Sequence, residues 1–69
     1  MKVIVRDTTT NRYLVAPNVW TSDLTKAVDF GRAERAMELA RETGLKDLEM
    51  MVSFGGSNFD LMVPVAPTA

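Results

Sequence analysis

The sequence predicts an α+β fold of the ββαββ type, in which a four-stranded antiparallel sheet carries one amphipathic helix on one face. Two observations predict it: apolar residues alternate with polar ones in segments near both ends of the chain, and they recur with a helical period in the middle. The third observation is length, because 69 residues provide for a single hydrophobic core. We expect one domain over residues 1–65 and a disordered tail over residues 66–69.

The first two strands are predicted to form a hairpin. Residues 2–6 are a β-branched run closed by charges at both ends, and a polar, turn-prone segment separates them from the apolar residues 13–15. Residues 19–21 follow Pro17, which breaks the pattern. We expect residues 19–21 to prolong the second strand beyond an irregularity at that proline.

The strongest periodic signal lies in residues 31–44. Alanine, methionine and leucine side chains share one arc of the predicted helix, and glutamate and arginine fill the opposite arc. Gly31 is predicted as the N-cap, with Glu34 reaching back to its N–H group, and Gly44 as the left-handed residue that ends the helix. Because the apolar arc is mostly alanine, we expect the helix to lie close to the sheet.

The last two strands are predicted from residues 48–54 and 59–65, which alternate on either side of a glycine-rich turn centred on Gly56 and Ser57. Pro64 cannot donate to a ladder, which favours an edge position for the last strand. A right-handed crossover predicts the strand order second, first, third, fourth. The predicted cross-strand partners on the inward-facing side are Phe54 with Phe59, Val52 with Leu61 and Met50 with Val63. On the other side they are Ser53 with Asp60 and Met51 with Met62.

Composition argues against several classes of function. Without cysteine or histidine the chain lacks a thiolate nucleophile, the commonest neutral-pH base and the commonest zinc ligands, so we expect no enzyme, metal site or cofactor. A net charge of -1 gives no field strong enough to attract nucleic acid or an anionic membrane, so we expect neither as a partner. No apolar run is long enough to span a bilayer and no signal sequence is evident, so we expect a cytoplasmic protein.

Four large apolar residues are predicted to share the sheet face that the helix leaves uncovered: Ile4, Leu14, Met51 and Met62. An exposed apolar patch of this kind usually marks an interface, and methionine suits an adaptable contact. We therefore predict a protein-association module that forms a homodimer through this face, with room for a further cellular partner. The alternative is that the tail or residues 19–29 fold over the same face.

Tyr13 and Trp20 are candidates for stacking on a base or another planar ligand. With Arg6 and Arg12 nearby, they support an alternative function, that of a nucleic-acid-binding or regulatory module. The other interpretation of both aromatic residues is packing against the core.

One sequence pattern extends over residues 12–40. It consists of Tyr13 and Leu14, then Trp20 and Thr21, then Ala27 and Phe30, and finally Ala36. This pattern resembles that of many small uncharacterised bacterial and phage proteins, in which a hairpin leads into a helix. The resemblance implies a fold without a known activity. In strand order alone the chain is also similar to HicB-type antitoxin domains, which is the source of the regulatory alternative.

Overall fold

A computed structural model describes residues 2–16, 18–55 and 58–65 of the protein. Within these ranges the chain forms five strands and one α-helix, with a 3-10 turn at Leu24–Lys26. The elements are β1 (Lys2–Asp7), β2 (Arg12–Ala16), β3 (Val19–Thr21), α1 (Ala33–Glu42), β4 (Leu48–Ser53) and β5 (Leu61–Val65). All neighbouring strands are antiparallel, and their order is β3-β2-β1-β4-β5.

The predicted four-stranded sheet of order 2-1-3-4 is therefore wrong in strand count, and its order changes because a fifth strand lies outside β2. The four predicted strands keep the neighbours expected for them. Val19–Thr21 does not prolong β2 but turns back and pairs with it, and Ala16 lies opposite Val19. Asn18 has a φ of +60°, a left-handed conformation that asparagine tolerates and that a tight reversal needs. The short reversal adds β3 as an edge strand outside β2. The expected irregularity at Pro17 lies outside the described residues.

The register between β4 and β5 confirms three of the five predicted cross-strand pairs. The ladder pairs Met50 with Val63, Met51 with Met62 and Val52 with Leu61. It does not include the predicted pairs of Ser53 with Asp60 and of Phe54 with Phe59. Instead the N–H group of Phe54 donates to the Asp60 carboxylate over 2.9 Å. The centre of the predicted turn, Gly56 and Ser57, and the predicted tail at residues 66–69 lie outside the described residues.

The helix forms in the predicted region but begins later than expected. Arg32, not Gly31, occupies the N-cap position, and its side chain makes no capping hydrogen bond. Gly31 has a φ of +72° and so belongs to the turn before the helix. At the other end Gly44, with a φ of +68°, is left-handed as predicted, and its N–H group donates to the carbonyl of Arg41.

The core lies between α1 and one face of the sheet, which we call the inner face. Ala36 and Ala40 of the helix are 0% and 1% exposed, so the alanine-lined arc does lie on the sheet. The buried core residues are Val3, Val5, Leu14, Ala36, Ala40, Leu48, Met50, Val52 and Val65, with Trp20, Phe30, Ala33, Met37, Leu39 and Val63 packed against them.

The predicted orientation of β2 is wrong, because Leu14 faces the helix. It was expected to point away from the helix, but it is fully buried in the inner-face core. The four-residue turn after Asp7 pairs Asp7 with Arg12 and Arg6 with Tyr13. Tyr13 consequently shares a face with Arg6, and its neighbour Leu14 takes the opposite face. A shift of one residue in the turn reverses every side chain of the strand, and the sequence pattern alone did not specify the turn length.

Residues 28–30 make hydrogen bonds to β1 and β2 where these two strands do not pair with each other. In β1, Arg6 and Asp7 pair with residues of β2. Further along β1, the N–H of Val3 donates to Oδ1 of Asp29 and its carbonyl accepts from the N–H of Phe30, over 2.9 and 2.8 Å. Oδ1 of Asp29 also accepts from the N–H of Gly31 over 2.9 Å. One carboxylate thus joins the central strand to the turn that precedes α1.

These two backbone hydrogen bonds lower the pKa of Asp29, that from Val3 being the larger cause. A carboxylate whose pKa is lowered in the folded state stabilises that state above its unfolded pKa, and this contribution disappears as the pH falls through the folded value.

We therefore expect Asp29→Asn to lower the free energy of unfolding at pH 7 by about 1 kcal/mol, a figure that allows for solvent screening of an exposed group. The difference between variant and wild type should shrink below the ordinary aspartate pKa of 3.8. Urea denaturation between pH 7 and pH 2.5 measures both. Asp47→Asn is the control, because the Asp47 carbonyl that binds Thr8 is kept and asparagine tolerates its φ of +60°. Parallel pH profiles for wild type and Asp29→Asn would contradict the role of the carboxylate.

Candidate association surface

The face of the sheet opposite the helix, here called the outer face, carries two rows of side chains. In one row Arg6 lies between Tyr13 on β2 and Glu49 on β4. In the next row Ile4 of β1 lies opposite Met51 of β4, which in turn lies opposite Met62 of β5.

The structure does not assemble the four predicted interface residues into one exposed patch. Leu14 lies on the inner face, as described above. Ile4 is 0% exposed and Met51 is 6% exposed within a single chain, and only Met62, at 52%, is open to solvent. An interface across the centre of the outer face therefore has little apolar surface left to bury.

Arg6 and Glu49 form an ion pair on the outer face. Nη2 of Arg6 lies 2.7 Å from Oε1 of Glu49, and the two side chains are 28% and 15% exposed. Nε of Arg6 and Oε1 of Glu49 are buried and make no aligned hydrogen bond within the described residues. The contact is thus a close charge pair with incomplete hydrogen bonding, and it leaves Arg6 poorly available to an external phosphate.

Tyr13 and Trp20 are not brought together as a stacking platform. Trp20 lies opposite Leu14 on the inner face and packs against the core, whereas Tyr13 lies opposite Thr21 and points to the other face. The candidate ligand-stacking residues are therefore on opposite sides of the sheet. The nearest arginine on the face of Tyr13 is Arg6, which is already paired.

The largest exposed apolar side chains of the β4–β5 hairpin lie at the start of the edge strand β5 and just beyond the end of β4. Phe54 is 64% exposed, Leu61 46% and Met62 52%. Leu61 belongs to the inner face and Met62 to the outer face, so the surface wraps around the edge strand, with Phe54 just beyond the end of β4. We call these three residues the β5 patch.

The exposure of Leu61 follows from the position of the helix. Along the inner face of β5, Val65 is 6% exposed, Val63 is partly buried against the core, and Leu61 is nearly half exposed. The helix and the core therefore cover the inner face of β5 less completely towards the start of the strand. The alternating pattern places Leu61 and Phe54 on the inward-facing side, so neither residue is predicted as part of an exposed surface. The available signal was the helix length, since ten residues extend only about 15 Å.

The other described surfaces are weaker candidates for a functional site. At the opposite edge β3 has only three residues, and Val19 is its one strongly exposed apolar side chain. A depression at the start of α1 is lined by Phe30 and by two arginines and two glutamates whose charges offset one another. No group of three or more potential metal ligands occurs in the described ranges.

The comparisons with known proteins give no match: no protein-family model, no curated protein and no solved structure resembles the chain significantly. In the part of the chain that the structure describes, no helix has the length and apolar character needed to cross a membrane.

We expect Arg6→Met to lower the free energy of unfolding by about 1–3 kcal/mol, because it leaves the largely buried Glu49 carboxylate without its cation. Replacing both partners, as Arg6→Met with Glu49→Leu, should recover most of that loss. Chemical denaturation of the single and double variants measures the coupling.

The matched control is Glu38→Gln, which breaks the exposed pair between Arg35 and Glu38 at 3.6 Å. Its effect should stay below about 0.5 kcal/mol. If Arg6→Met lowered the free energy of unfolding as little as this control, the outer-face ion pair would not contribute to stability.

Proposed function

We propose that the protein is a non-catalytic association module that forms a homodimer through the β5 patch. The observation that supports this proposal is the exposure of Phe54, Leu61 and Met62 at one edge of a sheet whose two faces are otherwise well buried at the centre. The absence of cysteine and histidine from the chain is in keeping with a role that does not depend on catalysis.

The proposed interface lies at the sheet edge and not at the centre of the outer face. Met62 is the one residue of the predicted patch that remains, and it is joined by Phe54 and Leu61. Burial of Ile4 and Met51 in the single chain gives the protomer a closed centre that does not need a partner. The edge, in contrast, leaves apolar side chains in water on both sides of β5.

The size of the patch favours a weak, concentration-dependent dimer. Three large side chains that are about half exposed offer on the order of 300 Å² per copy, which is at the lower limit of surfaces that mark interfaces. Burying roughly 600 Å² in two copies is worth about 15 kcal/mol at 25 cal/mol per Å². Association costs consume about 4–15 kcal/mol of this and leave about 0–11 kcal/mol. The middle of that range corresponds to a dissociation constant of about 100 µM.

Sedimentation of the full chain across the micromolar range tests the proposal. We expect the wild type to shift from monomer to dimer, and Met62→Lys to remain a monomer because the lysine charge would have to be desolvated at the interface.

The matched control is Val19→Lys, which places the same charge at a similarly exposed position, 50% against 52%, on the opposite edge. This variant should dimerise like the wild type. A wild type that is strictly monomeric at 100 µM, or two lysine variants that dissociate equally, would contradict the proposal.

A further inference from the structure

We infer that the partner of β5 is the β5 strand of a second copy, paired antiparallel with the two-fold axis at Met62. This inference rests on the proposed dimer and specifies how the two edges meet. It is carried by the hydrogen-bonding groups of the β5 backbone, and these are determined by Pro64 and by the register with β4.

Pro64 determines which backbone groups of β5 face away from β4. Opposed residues of an antiparallel ladder alternate between pairs that exchange two hydrogen bonds and pairs that exchange none. Pro64 has no N–H group, so its pairing with Glu49 belongs to the second kind. Two residues away, Met62 opposite Met51 is of the same kind, and the N–H and C=O groups of Met62 therefore point to the open edge.

Among the described residues 60–65, the outward-facing donor is the N–H group of Met62. The next outward position in one direction is Pro64, which cannot donate. The next in the other direction is Asp60, whose N–H group already donates to the carbonyl of Val52 over 2.8 Å. Among the described residues of this edge, Met62 thus holds a free donor and a free acceptor side by side. A two-fold axis at this residue satisfies both in each copy without leaving another donor unpaired.

The side chains are compatible with the same axis. Pairing Met62 with its own copy places Leu61 opposite Val63 of the second copy, so that apolar side chains meet on the inner side of the edge. Asp60 comes to lie opposite Pro64 of the second copy, and the two Asp60 carboxylates are kept apart. An isologous contact of this kind needs one self-complementary edge and closes at two copies.

A disulfide tests this pairing directly, because the chain contains no cysteine of its own. In the Met62-centred dimer the Cα atoms of the two Met62 residues are about 5.5 Å apart, within the range that a disulfide spans. Met62→Cys should therefore cross-link to a covalent dimer under mild oxidation. Leu61→Cys, in the same patch, should stay monomeric. Its two copies are offset by two residues, about 7 Å, along the strands, so their Cα atoms lie about 8 Å apart, beyond disulfide reach.

A second variant tests the backbone contact. Met62→Pro removes an N–H group that does not bond to β4, so the chain should still fold, as circular dichroism would show. Its dimer should dissociate at least tenfold more readily than that of Met62→Ala, which loses the same side chain but keeps the N–H group. If Met62→Pro does not fold, the pair of cysteine variants decides alone.

The outcomes separate this inference from the proposed function. If the wild type is a dimer but Met62→Cys does not cross-link, or Met62→Pro and Met62→Ala dissociate equally, the pairing is wrong and the association function stands. If Leu61→Cys cross-links as fast as Met62→Cys, the strands meet in a different register. A wild type without any dimer overturns both proposals.

Discussion

A ten-residue helix extends about 15 Å, whereas five strands side by side extend about 19 Å across the sheet and further along the strands. One helix therefore cannot cover the whole inner face. The cover is complete over Val3, Val5 and Val65 and is lost at Leu61. This mismatch between helix and sheet determines which apolar side chains are buried and which remain in water, and it places the candidate surface at the start of β5.

The other half of the fold depends on residues 28–30. Since the ladder between β1 and β2 is incomplete, the backbone groups of Val3 need other partners. Asp29 supplies a carboxylate oxygen and Phe30 an N–H group, while the N–H of Val28 donates to the carbonyl of Leu14 on β2. The segment that carries the chain from the sheet to the helix thereby also closes the sheet. Asp29, although exposed, is for this reason a structural residue.

Alternation and helical periodicity were sufficient to predict α1 and the register of β4 with β5, because a slip of one residue there would exchange the buried and exposed sides of both strands. They were not sufficient for β2. Its alternating run is short, and the turn before it determines whether Tyr13 or Leu14 faces the core. Three residues are too few to show an alternating pattern, so the sequence does not separate β3, with Trp20, from the preceding strand.

The prediction of the candidate surface was incomplete, and the reason is related. Sequence patterns assign side chains to faces but do not measure how far the helix extends over a face. Met62 was identified because it lies on the face without a helix. Leu61 was assigned to the covered face, yet it lies beyond the cover, and Phe54 lies beyond the ladder that was expected to bury it. Exposure at these positions depends on the relative lengths of packed elements, which is a property of the assembled fold.

An open sheet edge carries a risk of unlimited growth, and β5 restricts that risk through its own sequence. Pro64 removes one donor from the edge and Asp60 places a charge there, two features that limit strand addition. Within the described part of this edge, the backbone of Met62 keeps both a donor and an acceptor available, and a two-fold contact uses them in both copies. The edge left at the far side of such a dimer is β3, which with three residues is a poor template for further strands. The same features that weaken pairing at β5 therefore favour a closed dimer over a fibre.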